Sequence, residues 1–414
     1  MTHSVPSLRR ALGVRDAVVV GLGAMVGAGV FAALGPAARA AGTGLLYALA
    51  AAAVVAYCNA MASARLAALY PVSGGTYVYG RERLGPFWGY LAGWAFVVGK
   101  TASCAAMALT VGTYAWPGQA HAVAVGAVVA LTAVNCLGVE KSAWLTRVVV
   151  AVVLGVLAAV VVACAGSGSA SGGRLEAGLS GGVSGVLSGA GLLFFAFAGY
   201  ARVATLGEEV RDPARTIPRA IPIALGITLV VYAAVAAAAV AVLGVDGLAH
   251  ATAPLADAVR AAGADGLVPV VRVGAAVAAL GSLLSLILGV SRTTLAMARD
   301  RHLPSGLAAV HPRFQVPHRA EIAVGAVVAV AAAFGDVRGA IGFSSFGVLV
   351  YYAIANASAW TLSSATRARA LPALGAVGCV ALACALPVTS VVAGAGVLAL
   401  GAAAYAVRLR VRSS

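Results

Sequence analysis

The sequence predicts an all-α integral membrane protein of about a dozen spanning helices. Three observations carry this. Hydrophobic residues make up 62% of the 414 residues and charged ones only 10%, whereas a soluble domain carries about 25% charged and 45 to 50% apolar residues. Mean hydropathy is +0.98. The apolar residues also gather in runs about as long as a bilayer crossing, ~20 residues, which leaves no room for a large soluble domain.

Taken in order, the first run extends from Ala17 to Ala37. Arg9, Arg10 and Arg15 before it and Ala38-Arg39-Ala40 after it imitate a cleavable signal peptide, but the run exceeds an h-region of about 7 to 15 residues, so it is read as a retained first span. Leu45 to Leu66, Phe87 to Tyr114, Ala120 to Leu137 and Leu145 to Ala165 follow. The stretch Gly166 to Gly182, GSGSASGGRLEAGLSGG, has the composition of a flexible linker. Beyond it come Val183 to Thr205, Ile221 to Leu243, Val268 to Ala296, Ile322 to Phe334 and Ile341 to Thr361. The ninth of these is short for a membrane. Pro387 divides the last pair, Leu371 to Leu386 and Thr389 to Val407.

A net charge of +15 raises the question of nucleic acid. The basic residues are scattered between apolar runs with no aromatic-interleaved patch, so anionic lipid headgroups are the expected partners and nucleic acid is not. With the first end inside, only Arg39, Arg174, Arg260, Arg272 and Arg338 of the 28 basic residues fall in outer segments, while Lys100 and Arg202 fall within spans. That asymmetry places both termini in the cytoplasm and requires an even number of spans. The six cysteines sit in or beside apolar runs without a CxxC pair, so neither disulfide, metal nor other cofactor is expected.

The linker after the fifth run divides a single transporter domain, 1–414, into five-helix halves at 17–165 and 183–361, with two accessory helices at 371–407. The first span of each half is interrupted by glycine: Gly21, Gly23, Gly27 and Gly29 in one, Gly189, Gly191 and Gly199 in the other. Paired interrupted helices at matching positions point to a transporter's binding site. Unwinding near Gly27 would free main-chain N–H groups at a half-helix N-terminus, which favours a carboxylate. Carbonyls freed near Gly199 would accept from an ammonium group, with Phe195 or Phe197 covering the solute. The competing reading is close helix packing through small residues, such as Gly23 with Gly27.

These residues carry a resemblance. Gly21 to Phe31, Pro71-Val72-Ser73-Gly74-Gly75-Thr76-Tyr77-Val78-Tyr79 with Leu84-Gly85-Pro86-Phe87-Trp88-Gly89, Phe194 to Gly199 leading into Glu208-Glu209-Val210-Arg211-Asp212-Pro213 and Ile217-Pro218-Arg219, and Val290-Ser291-Arg292 through Asp300 to Leu303-Pro304 stand in one order and spacing. In these stretches the chain resembles the amino acid, polyamine and organocation (APC) superfamily, most closely bacterial relatives of the cationic amino acid transporters. The resemblance implies a LeuT-like fold of five plus five inverted helices with discontinuous helices 1 and 6, and alternating access around a midplane site. It implies that Gly27, Ala28 and Gly29 meet the substrate carboxylate and that the backbone around Phe195, Phe197 and Ala198 meets its amino group; Met25 and Gly199 complete the candidate substrate-binding residues. Many relatives have Ser or Thr where this chain has Ala28. Proton-coupled relatives carry a lysine in the middle of the fifth helix, where this chain has Val153.

What the chain offers instead is Lys100, deep within the third span. A cation at that depth costs about 2.5 to 3.5 kcal/mol on insertion scales, so it is expected to face the interior as proton carrier, fixed cation or partner of a substrate carboxylate. Structural pairing with backbone carbonyls is the plainer role. Ser282 and Ser285 are candidate ion or substrate contacts, against the commoner bond back to their own helix. Arg202, Glu208 and Glu209 are candidates for a cytoplasmic gate with Arg15, Asp16 or Arg292. His302, His311 and His318 share a basic loop and match no metal template.

The function expected is that of a secondary active permease for an amino acid or related amine, in the cytoplasmic membrane and coupled to protons. The alternatives are an amino acid/amine exchanger and a sensor that binds without moving its ligand. An enzyme is not expected, because the embedded ionisable residues are too few and dispersed for a convergent catalytic set. No phosphate-binding loop is present to support ATP-driven pumping. The lack of an acidic residue at the depth of the site favours small or neutral amino acids.

Overall fold

The computed structural model describes residues 12–70, 74–138, 143–176, 178–200, 203 and 210–413. Among these the chain is helical nearly throughout and forms no strand; Leu12 and Val210 meet in one isolated parallel bridge. Eleven helices, some joined across a break, are long and apolar enough to cross a membrane. The ninth expected span is also a helix, but its 17 residues reach only about 25 Å at 1.5 Å per residue, short of a hydrocarbon core of roughly 30 Å.

The first span is three pieces: α1 (Val14–Met25), α2 (Ala28–Ala32) and α3 (Leu34–Ala41). A turn at Gly42–Gly44 leads into α4 (Leu45–Leu69), and the short connecting helix α5 (Thr76–Leu84) precedes α6 (Pro86–Ala115). Pro86 opens α6 where its missing N–H costs nothing. Then follow α7 (Ala120–Cys136), α8 (Ala143–Ala165) and α9 (Gly182–Phe197), whose end tightens into a 3-10 turn at Ala198–Tyr200. The second half continues with α10 (Pro213–His250), α11 (Pro254–Ala261), α12 (Val268–Arg299), α13 (His318–Phe334) and α14 (Val337–Trp360). Two accessory helices, α15 (Thr366–Ala385) and α16 (Val388–Ser413), close the chain.

Small residues set how closely these helices approach. A Cβ on Gly347 of α14 would lie 3.0 Å from both the Ala95 carbonyl and Gly99 Cα of α6, so the two backbones cross almost in contact. Within α10, Gly244 adopts φ 68°, a left-handed conformation that glycine takes without strain. The kink frees carbonyls near the helix end, and Arg174 of the Gly/Ser linker donates to Val242 and, at 3.3 Å, to Ala241. The linker is thereby tied to α10, as it also is by the Ser171 N–H to the Ala241 carbonyl at 3.0 Å.

Apolar side chains remain exposed along helix after helix: Val129 on α7, Val162 on α8, Val230 on α10, Phe334 (89% exposed) on α13, Val377 on α15 and Leu400 on α16. A band that wide would be a liability in water and is what lipid contact requires. The chain is a multi-pass membrane protein.

Candidate functional site

The first span leaves helical geometry at Val26 (φ −77°, ψ 59°) and Gly27 (φ −116°, ψ −142°) and resumes at Ala28. Gly27 N–H turns back onto the Met25 carbonyl at 2.7 Å. The N–H groups of Ala28, Gly29 and Val30 then open the next piece with no acceptor among the described residues. These are the orphan donors of any helix start, here buried: Ala28 and Phe31 are 0% exposed.

The α-helix of the sixth span ends beside it at Phe197 and tightens into the 3-10 turn Ala198–Tyr200. A Cβ on Gly199 would lie 2.2 Å from the Ala24 carbonyl oxygen, and one on Gly29 2.6 Å from Ala196 Cα. Residue 24 thus faces 199 while 29 faces 196, so the two interrupted helices run antiparallel with their breaks in register. Packing and interruption, set against each other in the sequence, occur together. Gly27 is equally confined: a Cβ there would meet Ser282 Oγ of α12 at 2.1 Å.

The carbonyls freed at the breaks do not lie open. The Tyr232 hydroxyl of α10 lies 2.6 Å from the Met25 carbonyl and 3.0 Å from that of Ala196, sharing one proton between the two broken helices. Lys100 Nζ of α6 donates to the Ala198 carbonyl at 3.3 Å, and the Tyr352 hydroxyl of α14 approaches the same oxygen at 3.5 Å. Lys100 is 7% exposed and makes no ion pair among the described residues. An ammonium group belonging to the protein therefore sits on the carbonyl where a solute's ammonium was expected.

Aromatic rings pack around this core. Phe197 lies 5.1 Å from the Tyr232 ring, and Phe194 and Tyr200 bracket Tyr352 at 5.8 and 5.1 Å. Phe195, Phe197, Ala198 and Met25 are all buried. Ser282 is buried against the first break with no partner for its hydroxyl among the described residues, whereas Ser285 is exposed and bonds back to the Gly281 carbonyl at 3.0 Å. Of the two serines, only Ser282 joins the site.

A cavity of about 330 Å³ opens at the Arg39–Arg338 end, and none of the residues expected to bind substrate lines it. Its lining includes Phe31, Thr110 and Tyr114, next to the breaks. The Tyr114 hydroxyl donates to the Phe31 carbonyl at 2.9 Å and accepts from Leu255 N–H at 3.4 Å, while the two rings meet edge to face. Both residues line this vestibule.

The gate candidates Arg202, Glu208 and Glu209 lie outside the described residues. Asp16, one of the partners considered for those gate residues, pairs with Arg147 of α8 at 2.5 Å and also accepts from Gly13 N–H. A second cluster joins α5 to the end of α12: the Tyr77 hydroxyl bonds Asp300 and, at 2.9 Å, His302 Nδ1, while Arg81 pairs with Asp300 at 3.2 Å. Burial and the Asp300 carboxylate push the Tyr77 hydroxyl well up, keeping it a donor. His318, expected in a loop, is the first residue of α13.

Tyr232, Tyr352, Tyr114 and Glu321 have structural parts that the sequence reading missed. A lone tyrosine in an apolar run such as TLVVYAAVAAAA is a usable signal, since its hydroxyl must find a buried partner.

Comparison with known proteins gives one family and several relatives. Residues 16–407 match the amino acid permease family. Uncharacterized transporters of Mycobacterium tuberculosis (strain ATCC 25618 / H37Rv) and Mycobacterium bovis are each 73% identical over 403 residues, covering 97% of this chain and 92% of theirs. The chloroplastic cationic amino acid transporter 7 of Arabidopsis thaliana is 30% identical over 380 residues, 84% of this chain and 65% of that protein. A branched-chain amino acid permease of Bacillus subtilis is 25% identical over 341 residues, 77% of this chain and 73% of its own length.

Proposed function

Because the chain belongs to the amino acid permease family, we propose that it is a secondary active transporter that carries an amino acid or related amine across the cytoplasmic membrane by alternating access, together with a proton. The five-plus-five inverted arrangement of 17–165 and 183–361 is part of this reading. The single observation that carries it is the antiparallel register of two interrupted helices, with unbonded N–H groups at Ala28, Gly29 and Val30 on one side and carbonyls at Ala196 and Ala198 on the other. A zwitterion is complementary to that pair: its carboxylate meets the N–H groups and its ammonium the carbonyls.

The enclosed state then has a direct interpretation. Tyr232 and Lys100 hold the carbonyls while no solute is bound, and the Phe31–Tyr114 contact closes the site from the vestibule. Of the roles open to Lys100, its bond to Ala198 favours the fixed cation. Arrival of the solute moves Tyr114 aside, and the basic asymmetry of the sequence makes the vestibule the outer one, with both termini inside. A fixed cation beside the amino-group position, with no carboxylate paired to it, favours solutes without a second positive charge.

Uptake of a labelled amino acid panel by proteoliposomes, with and without an inward proton gradient, tests this. Accumulation above the equilibrium level with the gradient is the expected result. Label that saturates at one per protein would identify a binder and overturn the transport reading.

A further inference from the structure

Glu321 stands just before the expected ninth span, but α13 begins at His318 and draws it into the helix. There it is 0% exposed, and no N–H or O–H donor among the described residues reaches either carboxylate oxygen. Its neighbours are the thiol of Cys136 on α7 and, by charge, the guanidinium of Arg292 on α12. The faces of α7 and α13 fit closely, since a Cβ on Gly325, one turn beyond Glu321, would meet Thr132 Oγ1 at 2.5 Å, one turn before Cys136. Thr132 Oγ1 and His318 Nδ1 are likewise buried without a partner. Three such side chains on one helix pair need an explanation, because buried polar groups are nearly always bonded.

The surroundings narrow the chemistry. Among the elements packed on α13, Cys136 of α7 and Arg292 of α12 face the carboxyl group, and Cys104 of α6 lies farther along, in the apolar cluster with Val324 and Val328. The turn Ser305–Ala308 carries no titratable residue, and on α13 itself His318, whose ring packs on His311, and Arg319 flank the site. Arg292 is exposed and forms no ion pair among the described residues. An ionised carboxylate held here with only the Cys136 thiol, a weak donor, against it is costly, and the neutral acid is the form such an enclosure holds. Among the described residues no group of three or more His, Cys, Asp or Glu is placed to hold a metal ion here.

We propose that Glu321 takes up the proton that drives transport: it is protonated while enclosed between α7 and α13, and once that proton leaves to the inner solution its anion is drawn to Arg292. Arg292 shares α12 with Ser282, which lies against the break at Gly27. The proton's arrival and departure are thereby passed along one helix to the solute site. The inference rests on the proton-driven reading above.

The test uses the full chain in proteoliposomes. Dicyclohexylcarbodiimide, an apolar reagent that modifies protonated buried carboxyl groups, is applied across a pH series and the Glu321 peptide is read by mass spectrometry. The expected result is an adduct that fades as pH rises, with the fading moved to higher pH in Arg292→Gln, and a Glu321→Gln protein that gains nothing from a proton gradient. No adduct at any pH, or wild-type gradient-driven accumulation by Glu321→Gln, overturns the proposal. If Glu321→Gln does not fold, the adduct and its shift in Arg292→Gln decide. If the wild type itself gains nothing from the gradient, the driving-ion reading falls and this role with it; if only Glu321→Gln behaves as wild type, the role alone falls.

Discussion

Tyr232 and Lys100 hold the broken helices together by different means, and their substitutions separate the two. Tyr232 shares one proton between the Met25 and Ala196 carbonyls. Tyr232→Phe leaves both oxygens buried without that donor, a loss of about 1 to 3 kcal/mol, expected to lower both uptake and thermal stability. Unchanged melting with unchanged uptake would remove Tyr232 from the site. Lys100 donates to Ala198, which Tyr352 also approaches, so Lys100→Met removes a charge more than a bond. A charge-assisted bond contributes about 1.5 to 3 kcal/mol, so uptake is expected to fall at least about tenfold. Normal transport at every pH by Lys100→Met would end its part in the cycle. Lys100 was legible in the sequence because a charge in an apolar run is conspicuous. Tyr232 was legible only as a hydroxyl that must find a buried partner; which carbonyls it reaches is decided by packing.

Interrupted helices are the elements on which the reading turns. The glycines at 27, 29 and 199 announce both breaks in the sequence, and the structure adds why nothing larger fits: the Ser282 hydroxyl, Ala196 Cα and the Ala24 carbonyl occupy the space of a Cβ. Gly27→Ala is therefore expected to cost about 1 to 3 kcal/mol by overpacking, seen as a lower melting temperature and reduced uptake. Gly155 on α8 has no atom within 4 Å of such a Cβ, so Gly155→Ala is expected to be neutral or to stabilise by up to ~1 kcal/mol. Equal effects of the two substitutions would show that close packing at the break is not what matters. The start of α13 is the element the sequence misplaced. Its first turn is polar, HRAE, and hydropathy alone assigns those residues to a loop, whereas burial against α7 makes them helix.

Across the molecule as a whole, orientation follows from charge and access from packing. The basic residues gather at the ends that would face the cytoplasm. A reporter that fluoresces only inside the cell, fused at the C-terminus, is expected to be bright, and a phosphatase inserted in the linker near Arg174 is expected to be active outside. The reverse pattern would invert the vestibule and make the Tyr77–Asp300 end the outer one. The enclosed arrangement is a property of the assembled bundle: Tyr114 of α6 reaches the Phe31 carbonyl and the amide of Leu255, residues far apart in the chain.

The sequence by itself determined the membrane class, the approximate number and order of spans, the interrupted pair and the lone deep lysine. Each of these is a local matter of hydropathy, glycine content or a charge where none is usual. Only the tertiary structure decided which donors take the freed carbonyls, that Ser282 and not Ser285 meets the first break, that Asp16 pairs with Arg147, and that Glu321 is enclosed. Those outcomes depend on how helices rotate about their axes and which faces they turn to one another, and side-chain packing across distant segments fixes that rotation.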